Sequence, residues 1–65
     1  MTTCDFYLNT MGLYRVKTIT GKFAQDCWIT FIKDFGEAKS ELCKVKVTDD
    51  NGTEHHYKPN DFLQL

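Results

Sequence analysis

FAQDCWITFIKDFGEAKSEL, Phe23 to Leu42, decides the fold because it reads two ways. With a period of 3.6, Phe23, Ala24, Cys27, Trp28, Phe31, Ile32, Phe35, Ala38 and Leu42 fall on one side. Gln25, Asp26, Lys33, Asp34, Glu37 and Glu41 fall on the other, which is the pattern of an amphipathic helix. Against it, Ile29 breaks the polar side and Trp28-Ile29-Thr30-Phe31-Ile32 is a run of strand formers. Gly36, in the middle of the stretch, costs a helix about 1 kcal/mol. The strand reading puts Asp26 to Lys33 in a sheet with both faces apolar, as in a central or barrel strand. It leaves Asp34 to Glu41 as a loop or short helical turn. We take the strand, which makes the domain mainly β. The alternative is an α+β domain, βαββ, with a helix over roughly residues 22–35.

Upstream, Leu13 to Thr20 (LYRVKTIT) is rich in β-branched and aromatic residues. Tyr14, Val16 and Thr18 share one face and Arg15 and Lys17 the other, as in a half-buried strand ended by Gly21-Lys22. Asn9-Thr10-Met11-Gly12 reads as a turn, and Cys4 to Leu8 as a short strand or an arm across the barrel.

Downstream, Leu42 to Thr48 alternates, with Cys43, Val45 and Val47 inward and Lys44, Lys46 and Thr48 outward. A two-residue Asn51-Gly52 loop would set Val45 opposite Lys58 and Val47 opposite His56, mixing the faces. A three-residue loop, Asp50-Asn51-Gly52, sets Val45 opposite Tyr57, Val47 opposite His55, Lys46 opposite His56 and Thr48 opposite Glu54. Only the second sorts apolar from polar, as one buried face requires. It is a type I turn with a G1 bulge and Gly52 in the left-handed region. The predicted inner row is Cys43, Val45, Val47, His55 and Tyr57, with His55 semi-buried. Lys58-Pro59 ends the strand, Asn60-Asp61 suits a turn, and Phe62, Leu63 and Leu65 return apolar mass to the core.

The apolar strand with Trp28, then Cys43-Lys44-Val45-Lys46-Val47, Asp-Asp-Asn-Gly, Glu54, Tyr57 and Asn60-Asp61-Phe62-Leu63-Gln64-Leu65, resembles SH3-like small barrels, especially Tudor-like ones. The likeness covers roughly Leu13 to Leu65. It implies a single domain spanning residues 1–65, a five-stranded barrel over 13–65 with 1–12 as an N-terminal strand or arm, no catalysis, and binding of peptides or nucleic acid. In Tudor-like domains an aromatic cage can hold a methylated Lys or Arg. Trp28, Phe31, Phe35 and Tyr57 are the residues here that match such a role.

Sixty-five residues allow one domain whose core supplies roughly 3–5 kcal/mol. An apolar share of 42% argues against disorder, and a formal net charge of −1 gives no overall drive toward nucleic acid or anionic membrane. Cys4, Cys27 and Cys43 are odd in number and widely spaced, which speaks for free thiols in a reducing cytoplasm rather than a disulfide frame or zinc site. Cys27 and Cys43 sit among apolar residues and are expected to be buried. No signal peptide or membrane span is visible. With Met at its start and no tag, the chain is expected to be a complete small protein.

Three constellations suggest chemistry and none is specific. His55 and His56 are neighbours on a strand and point to opposite faces, so they cannot easily chelate one ion. Asp49 to Glu54 looks like a calcium loop, yet aligning Gly52 with that loop's sixth position puts Val47 and Lys58 where oxygen ligands belong. Cys, His and Asp occur without a nucleophile signature. No catalytic, cofactor or metal residue is assigned, and the protein is expected not to be an enzyme.

Two surfaces remain. Phe6, Tyr7, Phe23, Phe31 and Phe35 exceed what a five-stranded core obviously needs, so they serve either core and dimer packing or, for some of them, an exposed patch for a partner. Arg15, Lys17, Lys44, Lys46 and Lys58 lie on outer faces of their strands. If those strands are neighbours, they form a basic stripe that, interleaved with Tyr7 or Trp28, suits single-stranded nucleic acid. The first expectation is a cytoplasmic interaction module that binds another protein, or itself as a homodimer, as a regulator or inhibitor; its size suits a phage or mobile element. Binding of nucleic acid through the stripe is the second, and a small-molecule site at a homodimer interface the third.

Overall fold

The computed structural model describes residues 1–18 and 23–62. In order these are β1 (Thr2–Leu8), β2 (Gly12–Thr18), α1 (Phe23–Phe35), a 3₁₀ segment (Gly36–Glu41), β3 (Leu42–Thr48), β4 (Glu54–Tyr57) and the single turn α2 (Pro59–Phe62). The strands make one antiparallel sheet in the order β2-β1-β3-β4. Among the described residues it is an open four-stranded sheet with β2 and β4 as its edges, and the five-stranded barrel expected is not formed by them. Because β2 and β3 both run antiparallel to β1, they run parallel to each other. Such a pair needs a crossover, and α1 supplies it.

The strand expected over Asp26 to Lys33 is therefore part of a helix, as in the α+β alternative. The reason is burial. Cys27 and Phe31 are fully buried, and Trp28, Ile32 and Phe35 pack half-buried around them, all on one helical stripe. Ile29, which seemed to break the polar side, is left 64% exposed. Gly36 does not interrupt the helix but follows its last residue. Tertiary burial of the stripe thus outweighs the local β preference of Trp28 to Ile32. The helical turn expected after Asp34 is the 3₁₀ segment.

The terminal strand β1 is central, not an arm. Cys4, Phe6 and Leu8 on its inner face are buried. The core is largely aromatic: Phe31 stacks on Phe6 with ring centroids 4.5 Å apart, and Tyr14, Trp28 and Phe35 lie within 6.3 Å of it. Phe62 meets Phe6 edge-on at 5.8 Å and closes the far side against Tyr57. Buried Val16, half-buried Tyr14, and exposed Arg15 and Lys17 fall on β2 as its alternation predicts.

The β3–β4 hairpin has the predicted register, Val45 with Tyr57, Lys46 with His56, Val47 with His55 and Thr48 with Glu54. Gly52 has φ +83°, and its N–H donates to the Asp49 carbonyl at 3.0 Å. The Asp49 carboxylate accepts from the backbone N–H groups of Asn51 and Thr53, both at 2.9 Å, which ties the turn down. Two members of the inner row depart from expectation. Between Tyr7 and Leu8 the β1–β3 register slips, so Leu8 faces Leu42 instead of Cys43. Leu42 takes the buried place and Cys43 is turned out, exposed. His55 is exposed too, because it stands on the short edge strand and bends toward Asp49 at 3.1 Å. The expected Gly21-Lys22 turn and the closing Leu63 and Leu65 lie outside the described residues, as do the side chains of Thr18, Phe23 and Ala24.

Candidate functional site on the open face of the sheet

The helix covers one face of the sheet. Period-2 alternation sends the other residues of each strand to the opposite face. The pairing arranges these in rows. One row is Lys17, Thr3, Thr48 and Glu54; the next is Arg15, Asp5, Lys46 and His56. The third is Leu13, Tyr7 and Lys44, and the hairpin register extended by one residue adds Lys58. Arg15, Lys17, Lys44 and Lys46 thus share this face, and on the extended register Lys58, which follows the last residue of β4, joins them.

The middle row is an alternating chain of charge. Asp5 is only 1% exposed. Arg15 grips its carboxylate in a fork, Nε to Oδ1 at 2.7 Å and Nη2 to Oδ2 at 3.2 Å. Lys46 Nζ stands 3.7 Å from Asp5 Oδ2 and 3.5 Å from Glu54 Oε2, and His56 approaches Glu54 at 3.4 Å. The hydrogen bond from Arg15 holds the Asp5 carboxyl below its ordinary pKa; burial opposes this, and the charges of Arg15 and Lys46 reinforce it. Among the described residues Asp5 is the one buried charge, and its partners satisfy it. Sequence reading missed its role, although alternation in Thr3, Asp5, Tyr7 already groups it with the polar face.

The rest of the face is less committed. Lys17 and Lys58 have no ion pair among the described residues, and Lys44 lies over the Tyr7 ring, 5.5 Å from its centroid. Across the sheet from Tyr7, Leu13 is 49% exposed. Among the described residues the face carries five of the seven Lys and Arg but two of the nine Asp and Glu. The remaining surface is therefore acidic, and a formal net charge of −1 hides a strong segregation.

The proposed aromatic anchors are arranged otherwise. Phe31 is fully buried; Trp28, Phe35 and Tyr57 are half-buried and pack against the core. Phe6 is fully buried too. Trp28, with Lys39 over its ring, borders a groove of about 480 Å³ also lined by Leu42 and Pro59. Phe35 borders another of about 550 Å³ with Met11 and Ile32. The four aromatics do not surround one pocket.

Elsewhere, Tyr14 donates to Asp34 at 2.5 Å, and that bond, with some burial, pushes its pKa up to about 12. Cys4 and Cys27 are fully buried and hydrogen-bonded to each other. Cys43 meets Asn9 and Glu41, not a histidine. Among the described residues no three His, Cys, Asp or Glu gather as a metal site, and no helix is long and apolar enough to cross a membrane. No protein-family model matches the chain, and neither a curated protein nor a solved structure is significantly similar to it.

Proposed function

We propose that this protein is a non-enzymatic binding module that works in the cytoplasm and holds nucleic acid on the open face of its sheet. The observation that carries this reading is that Arg15, Lys17, Lys44, Lys46 and Lys58 share with Tyr7 the face of the sheet that no described element covers. Cations spread over neighbouring strands suit a row of phosphates better than a single anion, because each phosphate neutralised releases a counterion. The acidic remainder confines such a ligand to this face by repelling it elsewhere. A partner protein docked by Trp28, Phe31, Phe35 and Tyr57 is the competing reading, and its anchors already serve the core.

Fluorescence anisotropy with a labelled oligonucleotide tests this. With about four phosphate contacts, affinity for a single strand should fall roughly 50-fold between about 50 and 200 mM salt. Lys17→Glu combined with Lys58→Glu, two exposed changes outside the Asp5 cluster, should weaken binding at least about tenfold and flatten the salt slope. A salt-independent response, or full binding by the double variant, would overturn the reading in favour of a partner protein.

A further inference from the structure

The aromatic on the open face says which form of nucleic acid it takes. Phe6, Tyr14, Trp28, Phe31, Phe35, Tyr57 and Phe62 all belong to the core cluster. Among the aromatics whose side chains are described, Tyr7 alone stands on the opposite face. It is half-buried on the central strand β1. The Lys44 ammonium lies over its ring, 5.5 Å from the centroid. Leu13, directly across on β2, extends the ring into a small apolar shelf and is 49% exposed. An apolar shelf with Lys44 over its ring and Arg15 in the neighbouring row offers little to a duplex, whose base faces stay stacked inside the helix. It fits an unstacked base, whose π-face lies on an aromatic ring while neighbouring phosphates meet the cations.

Resting on the open-face reading, we infer that the protein binds its nucleic acid single-stranded, with one base stacked on Tyr7 beside Leu13. In the bound state Lys44 leaves the ring for a phosphate next to the stacked base. Arg15, in the next row on β2, flanks the shelf on the other side, and Lys17 stands one row further along the same strand. The four strands, spaced about 4.8 Å apart, give the ligand a path of roughly 14 Å across the sheet.

The test compares a labelled oligothymidylate with a duplex of equal length, for the unmodified chain and for Tyr7→Phe, Tyr7→Leu and Tyr7→Ala. Far-UV circular dichroism of each variant verifies that it is folded, and Tyr7→Leu keeps the apolar bulk in case Tyr7→Ala does not fold. Single strand should bind more tightly than duplex. Tyr7→Phe should match the unmodified chain, whereas Tyr7→Leu and Tyr7→Ala should lose about tenfold, with the salt slope unchanged, because stacking releases no counterion. Equal affinity for duplex and single strand, or no loss in folded Tyr7→Leu, would overturn the stacking inference. If the Lys17 and Lys58 reversals still weaken binding, the open-face reading survives that failure. Absence of binding by the unmodified chain at low salt would remove both.

Discussion

Phe31→Ala should leave the chain unfolded at room temperature. Phe31 is fully buried and has Phe6, Tyr14, Trp28 and Phe35 within 6.3 Å. Truncating a buried Phe costs about 3–5 kcal/mol, the lost transfer energy plus the cavity. A core of this size supplies roughly the same amount in total. Of these neighbours Phe6 and Tyr14 are fixed on the sheet and Trp28 and Phe35 on α1 itself, so little can collapse into the gap. Phe31→Leu keeps most of the volume, should cost about 1.5 kcal/mol or less, and should remain folded. Urea titration followed by far-UV circular dichroism separates the outcomes. A cooperative transition for Phe31→Ala near that of the unmodified chain would mean that α1 does not supply the centre of the core.

Asp5→Asn should cost about 2 kcal/mol near neutral pH, and the cost should vanish in acid. The variant keeps the shape but removes the charge that Arg15 and Lys46 converge on. Breaking a buried pair costs about 3–5 kcal/mol. The Arg15 side chain is 52% exposed, so the charges left behind recover some hydration and the loss is smaller. The Asp5 carboxyl is held below its ordinary pKa by Arg15, with Lys46 adding to the effect. A depressed pKa contributes stability that is full above the unfolded value, about 3.9, and is lost as pH falls through the lower folded value. The gap between the two proteins should therefore be constant from pH 7 down to the ordinary carboxylate range and close as the pH falls through the lower folded value. Glu41 and Asp49 are also depressed, by hydrogen bonds from Thr10 and from His55 and Thr53, so Asp5→Asn retains some acid sensitivity. Urea midpoints across this range measure the effect, and a gap that persists unchanged in acid would show that Asp5 acts through its shape alone. The same variant frees Arg15 and Lys46 for phosphates, so on the proposed function it should bind an oligonucleotide more tightly while being less stable.

How much of this was legible in the chain varied with how local the determinant is. The β3–β4 hairpin was readable down to its register, because Asp50-Asn51-Gly52 limits the loop and only one register sorts Val45 and Val47 from Lys44 and Lys46. The outward facing of Arg15, Lys17, Lys44 and Lys46 followed from alternation alone. What alternation cannot supply is which strands are neighbours, so the gathering of those cations depended on β1 entering between β2 and β3. The helix over Phe23–Phe35 was misread because Trp28 to Ile32 prefers strands locally, and the deciding factor, a buried stripe from Cys27 to Phe35 against Phe6, is a long-range one. The exposure of Cys43 comes from a slip opposite Leu8, a pairing irregularity with no mark in either segment.

Among the described residues, Arg15, Lys17, Lys44 and Lys46 stand on the sheet's outer face, while Asp26, Asp34 and Glu37 belong to α1 and the 3₁₀ segment across the core. Tyr7 and Leu13 report on the sheet face, while Trp28 and Ile29 report on the helix. Titrating isotope-labelled protein with a short single-stranded oligonucleotide, and following these side chains by NMR, tests most directly whether the open face is the working surface. The Tyr7 ring and Leu13 methyl signals should shift strongly, and the Trp28 indole and Ile29 methyl signals should stay in place. Shifts centred on Trp28 and Leu42, or on Phe35 and Ile32, with Tyr7 and Leu13 unmoved, would contradict it.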